Sequence, residues 1–176
     1  MQPAIDRHTF DQLVSSHLPA AMRFAVRLCG DVHAAEDLVQ EALYRAARAW
    51  QSFRGQAAFK TWLFQIVVNA FRDQLAKVEN DATELKDDLA DPRSREPADH
   101  LAAGELGPMV ARLVSALPPR QREVLVLVAY EGLTPAQASA VLAISETNTR
   151  ANLAHARQRL KEQLAPYLNP SDRTRK

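Results

Sequence analysis

The stretch TPAQASAVLAISETNTRANLAHARQRL, residues 134–160, decides the fold of this chain. Thr134 is a strong N-cap candidate and Gln137 is placed to complete a capping box, so the sequence predicts a helix over 135–142. A three-residue turn and a longer helix, over about 146–165, follow. A short capped helix, a tight turn and a longer helix have the size and order of a helix-turn-helix motif.

The second helix of this motif is basic on one side and apolar on the other. Ser145 is expected to cap this helix. The first turns of the helix would enter the major groove of DNA, where Thr147, Asn148 and Arg150 would reach phosphates or base edges. On the pattern alone, an ordinary helical hairpin with a solvated basic face is the competing interpretation.

Apolar residues at spacings of three and four predict further helices along the chain. In its first part these helices cover about 7–29, 32–50 and 57–76, with breaks at Gly30 and Gly55. Two more precede the helix-turn-helix motif. No segment has the Val/Ile/Thr alternation of a strand. The predicted fold class is all-α, with two small helical domains: an N-terminal bundle and a C-terminal helix-turn-helix domain.

A change in composition separates the two groups of helices. Residues 77–108 hold 4 Lys/Arg and 9 Asp/Glu, whereas residues 109–176 hold 10 and 5. The acidic segment has few apolar groups to offset the entropy cost of ordering it, so it is predicted to be a mobile linker. The predicted organisation is an N-terminal domain, an acidic linker, a C-terminal domain and a tail, at 1–76, 77–105, 106–168 and 169–176.

Bulk composition bounds the class of protein. Of the 176 residues, 47% are hydrophobic, which is enough for a packed core. Cys29 is the single cysteine, which excludes an intramolecular disulfide and fits a reducing compartment. The N-terminus lacks the apolar run of a signal peptide, and no stretch approaches the ~18 uncharged apolar residues of a membrane span. A cytoplasmic protein without membrane insertion is expected.

Sequence motifs for catalysis are missing. The sequence has no glycine-rich phosphate loop, no cysteine pair for zinc and no credible nucleophile–base pairing. Its five His residues are scattered without partner spacing. Catalytic residues, a metal site and a cofactor are therefore not expected, and the chain is not predicted to be an enzyme.

The exposed face of the second predicted helix carries polar side chains at helical spacing. Asp37, Gln40, Glu41, Tyr44 and Arg48 share one side. The simpler interpretation is a solvated face. The more specific interpretation is that this face is a docking surface for the helices of another protein.

Two long stretches are similar to one protein family. Conserved region 2 of the ECF (extracytoplasmic-function) sigma factors of bacterial RNA polymerase resembles AEDLVQEALYRAARAW (35–50) followed by FRGQAAFKTWLFQIVVNAFRDQL (53–75). Region 4 of the same family resembles LPPRQREVLVLVAYEGLTPAQASAVLAISETNTRANLAHARQRL (117–160). The resemblance covers about 10–76 and 106–165. It implies a promoter-recognition subunit that binds core polymerase and recognises −10 and −35 DNA elements.

The resemblance also implies roles for individual residues. Docking on the clamp helices of the largest polymerase subunit falls to Asp37, Gln40, Glu41, Arg45 and Arg48. The C-terminal domain would meet the flap of the second-largest subunit. Recognition of the −10 element falls to Arg54, Gly55, Gln56, Lys60, Thr61, Phe64, Asn69 and Arg72. Recognition of the −35 element falls to Thr134, Ser145, Thr147, Asn148, Arg150, Ala151, His155 and Arg157.

Some positions depart from the family pattern. Many relatives carry a basic tract after the third helix, but here it reads QLAKVEN with Lys77 alone, so weaker phosphate anchoring near the −10 element is expected. Ala143 stands where a turn glycine is usual. Ala151 and Ala154 stand where larger or polar contacts often occur.

Phe64 falls off the apolar stripe of its helix, which leaves base stacking and core-edge packing both open.

Two other functions remain open from the sequence. A stand-alone helix-turn-helix regulator would explain the C-terminal domain but not the polar face of the second helix. A sigma-like adaptor that sequesters an anti-sigma protein would fit the reduced basic tract. Only about ten residues follow Pro166, so no appended regulatory domain is expected. Regulation is expected to come from another chain, such as an anti-sigma protein, or from expression.

Overall fold

The computed structural model describes residues 7–55, 58–84 and 106–168, and these residues form seven α-helices and no strand. The all-α prediction is therefore confirmed. Two short turns supplement the helices: a 3-10 turn, Trp50–Ser52, follows the second helix, and a π-helical turn, Val126–Tyr130, continues the fifth. The helices are α1 (Arg7–Cys29), α2 (Val32–Ala49), α3 (Phe59–Glu84), α4 (Leu106–Ser115), α5 (Pro119–Leu125), α6 (Pro135–Leu142) and α7 (Glu146–Leu168).

Helices α1, α2 and α3 pack together as the N-terminal unit. Gly30 has a φ of +74°, which ends α1 in the left-handed conformation that glycine adopts without strain. Asp31 then caps α2, because its side chain accepts a hydrogen bond of 2.8 Å from the backbone N–H of Ala34. In the core of this unit, Phe24 on α1 stacks on Phe64 of α3 with ring centroids 4.5 Å apart.

Helices α4 to α7 form the C-terminal unit, which contains the predicted helix-turn-helix. Both halves of the capping box are present: Thr134 Oγ1 accepts from the Gln137 N–H at 3.2 Å, and the Thr134 N–H donates to Gln137 Oε1 at 2.9 Å. Ser145 Oγ accepts from the Asn148 N–H at 3.2 Å and so caps α7. Leu153 and Ala156 are buried, which turns the opposite side of α7 to solvent.

Two helices extend beyond their predicted ends. Helix α3 reaches Glu84, eight residues into the segment predicted as linker, since its polar residues include good helix formers and no Gly or Pro interrupts it. Helix α7 continues through Pro166 to Leu168, because a single backbone hydrogen bond lost in a last turn does not end a helix. The remainder of the predicted linker, 85–105, and the tail, 169–176, lie outside the described residues.

The two units pack against each other, which the sequence did not predict. Helices α1 and α3 contact α4, α6 and the π-helical turn. One apolar cluster includes Leu28 and Val68 of the N-terminal unit together with Val114 and Leu127 of the C-terminal unit. At the boundary, a Cβ placed on Gly30 would lie 2.7 Å from Ser115 Cβ, so a side chain at position 30 would push the units apart.

Ala143, at the turn between α6 and α7, carries backbone strain that can be measured. Its φ of 53° lies in the left-handed region, which costs a residue with a Cβ about 1–2 kcal/mol. We expect Ala143→Gly to raise the free energy of unfolding by about 0.5–1 kcal/mol, after allowing for the greater entropy of an unfolded glycine. Urea denaturation followed by circular dichroism measures the change.

The control for this substitution is Ala154→Gly, on the exposed side of α7. There the backbone is helical and glycine relieves nothing, so stability should fall by about 1 kcal/mol. A loss of stability at both positions would contradict the interpretation of strain at the turn.

Candidate functional site

The polar face predicted on α2 is present and partly tied to α3. Asp37 and Gln40 are exposed. The Arg45 guanidinium donates to Glu41 Oε1 at 2.6 Å and to Asp73 Oδ2 at 2.5 Å, and these hydrogen bonds, the one with Asp73 first, raise the pKa of Arg45. Arg45 is therefore held against the N-terminal unit. The most accessible groups of the face are Asp37, Gln40, Tyr44 and Arg48. The Arg48 guanidinium lies 5.6 Å from the centroid of the Tyr44 ring.

The residues predicted to contact a −10 element do not share one environment. Arg54 and Gly55 are exposed in the loop before α3, where Gly55 has a φ of +68°. Asn69 is exposed on α3 and Thr61 is half-buried. Gln56 lies outside the described residues.

Lys60 and Arg72, the two remaining cations of that set, are both paired with the C-terminal unit. Arg72 Nε and Nη2 donate to the two carboxylate oxygens of Glu123 at 3.0 and 2.8 Å. Lys60 Nζ lies 3.2 Å from Glu131 Oε2 and donates to the Glu131 backbone carbonyl at 3.2 Å. Both carboxylates are shielded from water, with side chains 1% exposed at Glu123 and 5% exposed at Glu131.

Phe64 does not belong with the exposed candidates. Its side chain is fully buried and stacks on Phe24 in the core. Lys60 Nζ also lies 5.1 Å from the centroid of this ring. We therefore assign Phe64 to packing and omit it from the proposed −10 surface, because a ring without exposed area cannot stack on a base unless the core opens.

The start of α7 presents the groove-facing candidates on one exposed side. Ser145, Thr147, Asn148 and Arg150 are exposed, and Thr149 between them is buried. Arg150 is bound to its own helix, because its Nε and Nη2 donate to Glu146 Oε1 at 3.0 and 2.5 Å. The remaining −35 candidates are also exposed, at Thr134, Ala151, His155 and Arg157.

Comparisons with known proteins match the N-terminal and C-terminal units to two families in the same order along the chain. The Sigma-70 region 2 family matches residues 13–80, and the Sigma-70 region 4 family matches residues 109–160. The ECF RNA polymerase sigma factor SigM of Mycobacterium tuberculosis is 34% identical over 164 residues, which cover 93% of this chain and 81% of that protein. The chain belongs to the ECF sigma factors. It is thus a transcription initiation factor that acts in promoter-specific initiation by RNA polymerase.

Other relatives extend the similarity to the whole arrangement of this sigma factor. SigM of Bacillus subtilis is 34% identical over 157 residues, covering 87% of this chain and 93% of that protein. The sigma factor RpoE of Bartonella quintana, solved in complex with the anti-sigma factor NepR, superimposes with a TM-score of 0.74 at 28% identity. That superposition covers 89% of this chain and 96% of the other, so it includes both units.

Three carboxylates that pair with candidate DNA-contact residues were not predicted from the sequence. Glu146 could have been found, since a Glu four residues before an Arg on one helix face is a recognisable pair. Glu123 and Glu131 gave no such signal. Each lies in or next to the apolar run of α5 and the π-helical turn, and each pairs with a side chain about 50 to 70 positions away.

No cluster of three or more His, Cys, Asp or Glu side chains that could hold a metal ion occurs in the described ranges. Burial raises the pKa of the Cys29 thiol to about 11, so this group stays protonated at neutral pH. Among the described helices, none is long and apolar enough to cross a membrane.

Proposed function

We propose that this sigma factor binds core RNA polymerase through α2 and contacts two promoter elements, with the edge of α3 at −10 and the start of α7 at −35. It carries no catalytic activity of its own, and it works in the cytoplasm, where the polymerase and DNA are. The observation that supports this most directly is the polar first turn of α7. A capped helix of a helix-turn-helix presents four adjacent polar side chains to solvent there, as groove recognition requires.

The proposed polymerase contacts follow from the two exposed surfaces. Asp37 and Gln40 face solvent on α2, the helix whose opposite side is fully buried, and they are assigned to the clamp helices of the largest subunit. The C-terminal unit is assigned to the flap of the second-largest subunit. The proposed linker then starts at residue 85, after the end of α3. An anti-sigma protein is proposed as regulator, as in the RpoE complex.

Run-off transcription from a genomic library with purified core polymerase tests this function. We expect discrete transcripts that depend on the sigma factor, and none from a triple variant with Thr147→Ala, Asn148→Ala and Arg150→Ala. Binding of the chain to discrete DNA sites without polymerase would favour a stand-alone regulator instead. Polymerase binding without any promoter-dependent transcript would favour an adaptor.

Arg150 is expected to be the main DNA anchor of α7. Alanine at positions 151 and 154 offers no side-chain hydrogen bond, so more of the contact falls on Arg150. Arg150→Ala should weaken −35 binding by about 1–3 kcal/mol, confined to one base pair, if the guanidinium contacts guanine bidentately. If it contacts phosphate only, all promoters should weaken alike and the slope of log K against log salt should fall by about one.

The pair with Glu146 supplies a control for this prediction. DNA must compete with the Glu146 carboxylate for Arg150, so Glu146→Gln should strengthen −35 binding while Arg150→Ala weakens it. Footprinting over a series of −35 substitutions measures both variants. Protection by Arg150→Ala equal to that of the unmodified chain, at every salt concentration, would show that this residue is not an anchor.

A further inference from the structure

A row of three charged side chains links the polar face of α2 to α3. Arg45 Nε donates to Glu41 Oε1 at 2.6 Å, and Arg45 Nη1 donates to Asp73 Oδ2 at 2.5 Å. Glu41 lies one turn before Arg45 on α2, whereas Asp73 belongs to α3 and is 28 positions from Arg45. One guanidinium therefore connects a carboxylate of the polar face with a carboxylate of the neighbouring helix.

Within this link, Glu41 is better placed than Arg45 to meet a partner protein. The Glu41 side chain is 43% exposed and lies one turn after Asp37, which is exposed on the same face. The Arg45 side chain is 34% exposed, and two of its three guanidinium nitrogens already donate to carboxylates. A partner would have to break these hydrogen bonds to bind Arg45. It can bind Glu41 while they remain, because a carboxylate accepts several hydrogen bonds.

The hydrogen bond with Asp73 decides how firmly Glu41 is held. A Glu–Arg pair one turn apart on a helix changes a conformational equilibrium by only about twofold, which is too little to fix an exposed carboxylate. Asp73 binds the same guanidinium from another helix, so Glu41 meets a donor that is already fixed. Ordering a free, rotamer-rich side chain on binding costs roughly 2- to 13-fold in Kd, and a side chain that is held beforehand avoids this loss.

We propose that Arg45 is a positioning residue that holds the Glu41 carboxylate in the orientation in which it binds polymerase, with Asp73 as the anchor on α3. This role rests on the proposed function, since it takes the polar face of α2 as the docking surface. The group that Glu41 meets on the polymerase is a cationic or N–H donor side chain, because an ionised carboxylate only accepts hydrogen bonds. Asp73 thus acts on docking from a helix outside the polar face, and Arg45 acts through Glu41.

The packing of α2 on α3 depends little on this link. One buried apolar cluster contains Val39 and Ala42 of α2 together with Val67 and Phe71 of α3. The Asp73 side chain is 56% exposed, and ion pairs at such positions usually change the folding equilibrium by less than about fivefold. Substitution of Asp73 therefore leaves the helices packed, and a loss of polymerase affinity would not come from unfolding.

Asp73→Asn tests the anchor, because it leaves Glu41 and Arg45 in place. Fluorescence titration of the labelled full-length chain with core polymerase, without DNA, should give a Kd that is weaker by about 3- to 10-fold. The matched control, Asp11→Asn, removes the same charge from an exposed position on α1 and should leave the Kd unchanged. Circular dichroism verifies that both variants are folded. Equal Kd values for the two variants would overturn the proposal.

Combination with Glu41→Ala shows whether Asp73 acts through Glu41. Glu41→Ala removes the carboxylate that Arg45 holds, so in that background Asp73→Asn should change the Kd by less than about twofold. A simple tie between the helices, or a direct contact of Asp73 with the polymerase, would weaken binding by the same factor in both backgrounds. Such additivity would contradict the positioning role.

The Arg45 Nε–H reports on the link in the free chain. Its signal in a proton–nitrogen NMR spectrum should be separate from those of solvated arginines, because this group donates a short hydrogen bond to Glu41. Asp73→Asn should move the signal toward the solvated position, and Asp11→Asn should not. An Arg45 signal that is the same in both variants would show that Asp73 does not anchor the guanidinium.

Failure of the positioning role and failure of the proposed docking give different results. Asp37→Ala with Gln40→Ala is measured in the same titration. If this double variant weakens binding while Asp73→Asn does not, α2 docks on the polymerase and the positioning role is wrong. If the double variant binds as tightly as the unmodified chain, α2 is not the docking surface, and the positioning role falls with it.

Discussion

Phe64→Ala is expected to lower the free energy of unfolding by about 3–5 kcal/mol, the largest stability effect of any substitution considered for this chain. The ring is fully buried, and it stacks on Phe24 with the planes 20° apart. Removing it leaves a cavity between α1 and α3 and a second aromatic ring without its partner. Urea denaturation followed by circular dichroism measures the loss, which is large relative to the 5–15 kcal/mol of a typical small protein.

Two further variants separate packing from DNA contact at this position. Phe64→Leu conserves most of the volume and should cost less than about 1.5 kcal/mol, with promoter opening retained. Tyr44→Ala, at an exposed aromatic on α2, should change stability by no more than about 0.5 kcal/mol. If Phe64→Leu abolished promoter opening while the fold stayed intact, the ring would be acting on a base and its assignment to the core would be wrong.

Asp37→Ala with Gln40→Ala is expected to weaken binding to core polymerase by about 2–4 kcal/mol, or roughly 30- to 1000-fold in Kd. Both side chains are exposed on a helix whose opposite side is buried, so the substitutions remove polar contacts without opening the core. Fluorescence titration of labelled sigma factor with core polymerase gives the Kd directly.

The control for docking uses the same two residue types elsewhere. Asp11 and Gln12 are exposed on α1, so Asp11→Ala with Gln12→Ala removes an equal charge and amide from a face with no proposed partner. Its polymerase affinity should match that of the unmodified chain. Equal affinities for the two double variants would remove α2 from the docking surface.

Much of the fold was predictable because its signals are local. The capping box at Thr134, the cap at Ser145 and the end of α1 at Gly30 each depend on residues within three or four positions, and all three are present. The exposed sides of α2 and α7 follow from the same periodicity. The predicted end of α3 near residue 76 is too early, because acidic composition alone does not distinguish a linker from a helix that polar residues extend to Glu84.

The contact between the units could not be predicted in this way. Arg72 and Glu123 are 51 positions apart, and neither residue departs from the pattern of its own helix. Phe64 was ambiguous for a related reason: it lies off the main apolar stripe of α3, but a second stripe becomes buried once α1 packs against it. Charge pairs and second stripes of this kind are fixed by tertiary packing, which periodicity within one helix does not specify.

The apolar cluster that runs from α1 and α3 into α4 and α6 also bears on how long the free protein survives in a cell. Units that share a core unfold in one cooperative transition, so a protease does not meet one unit unfolded while the other is still folded.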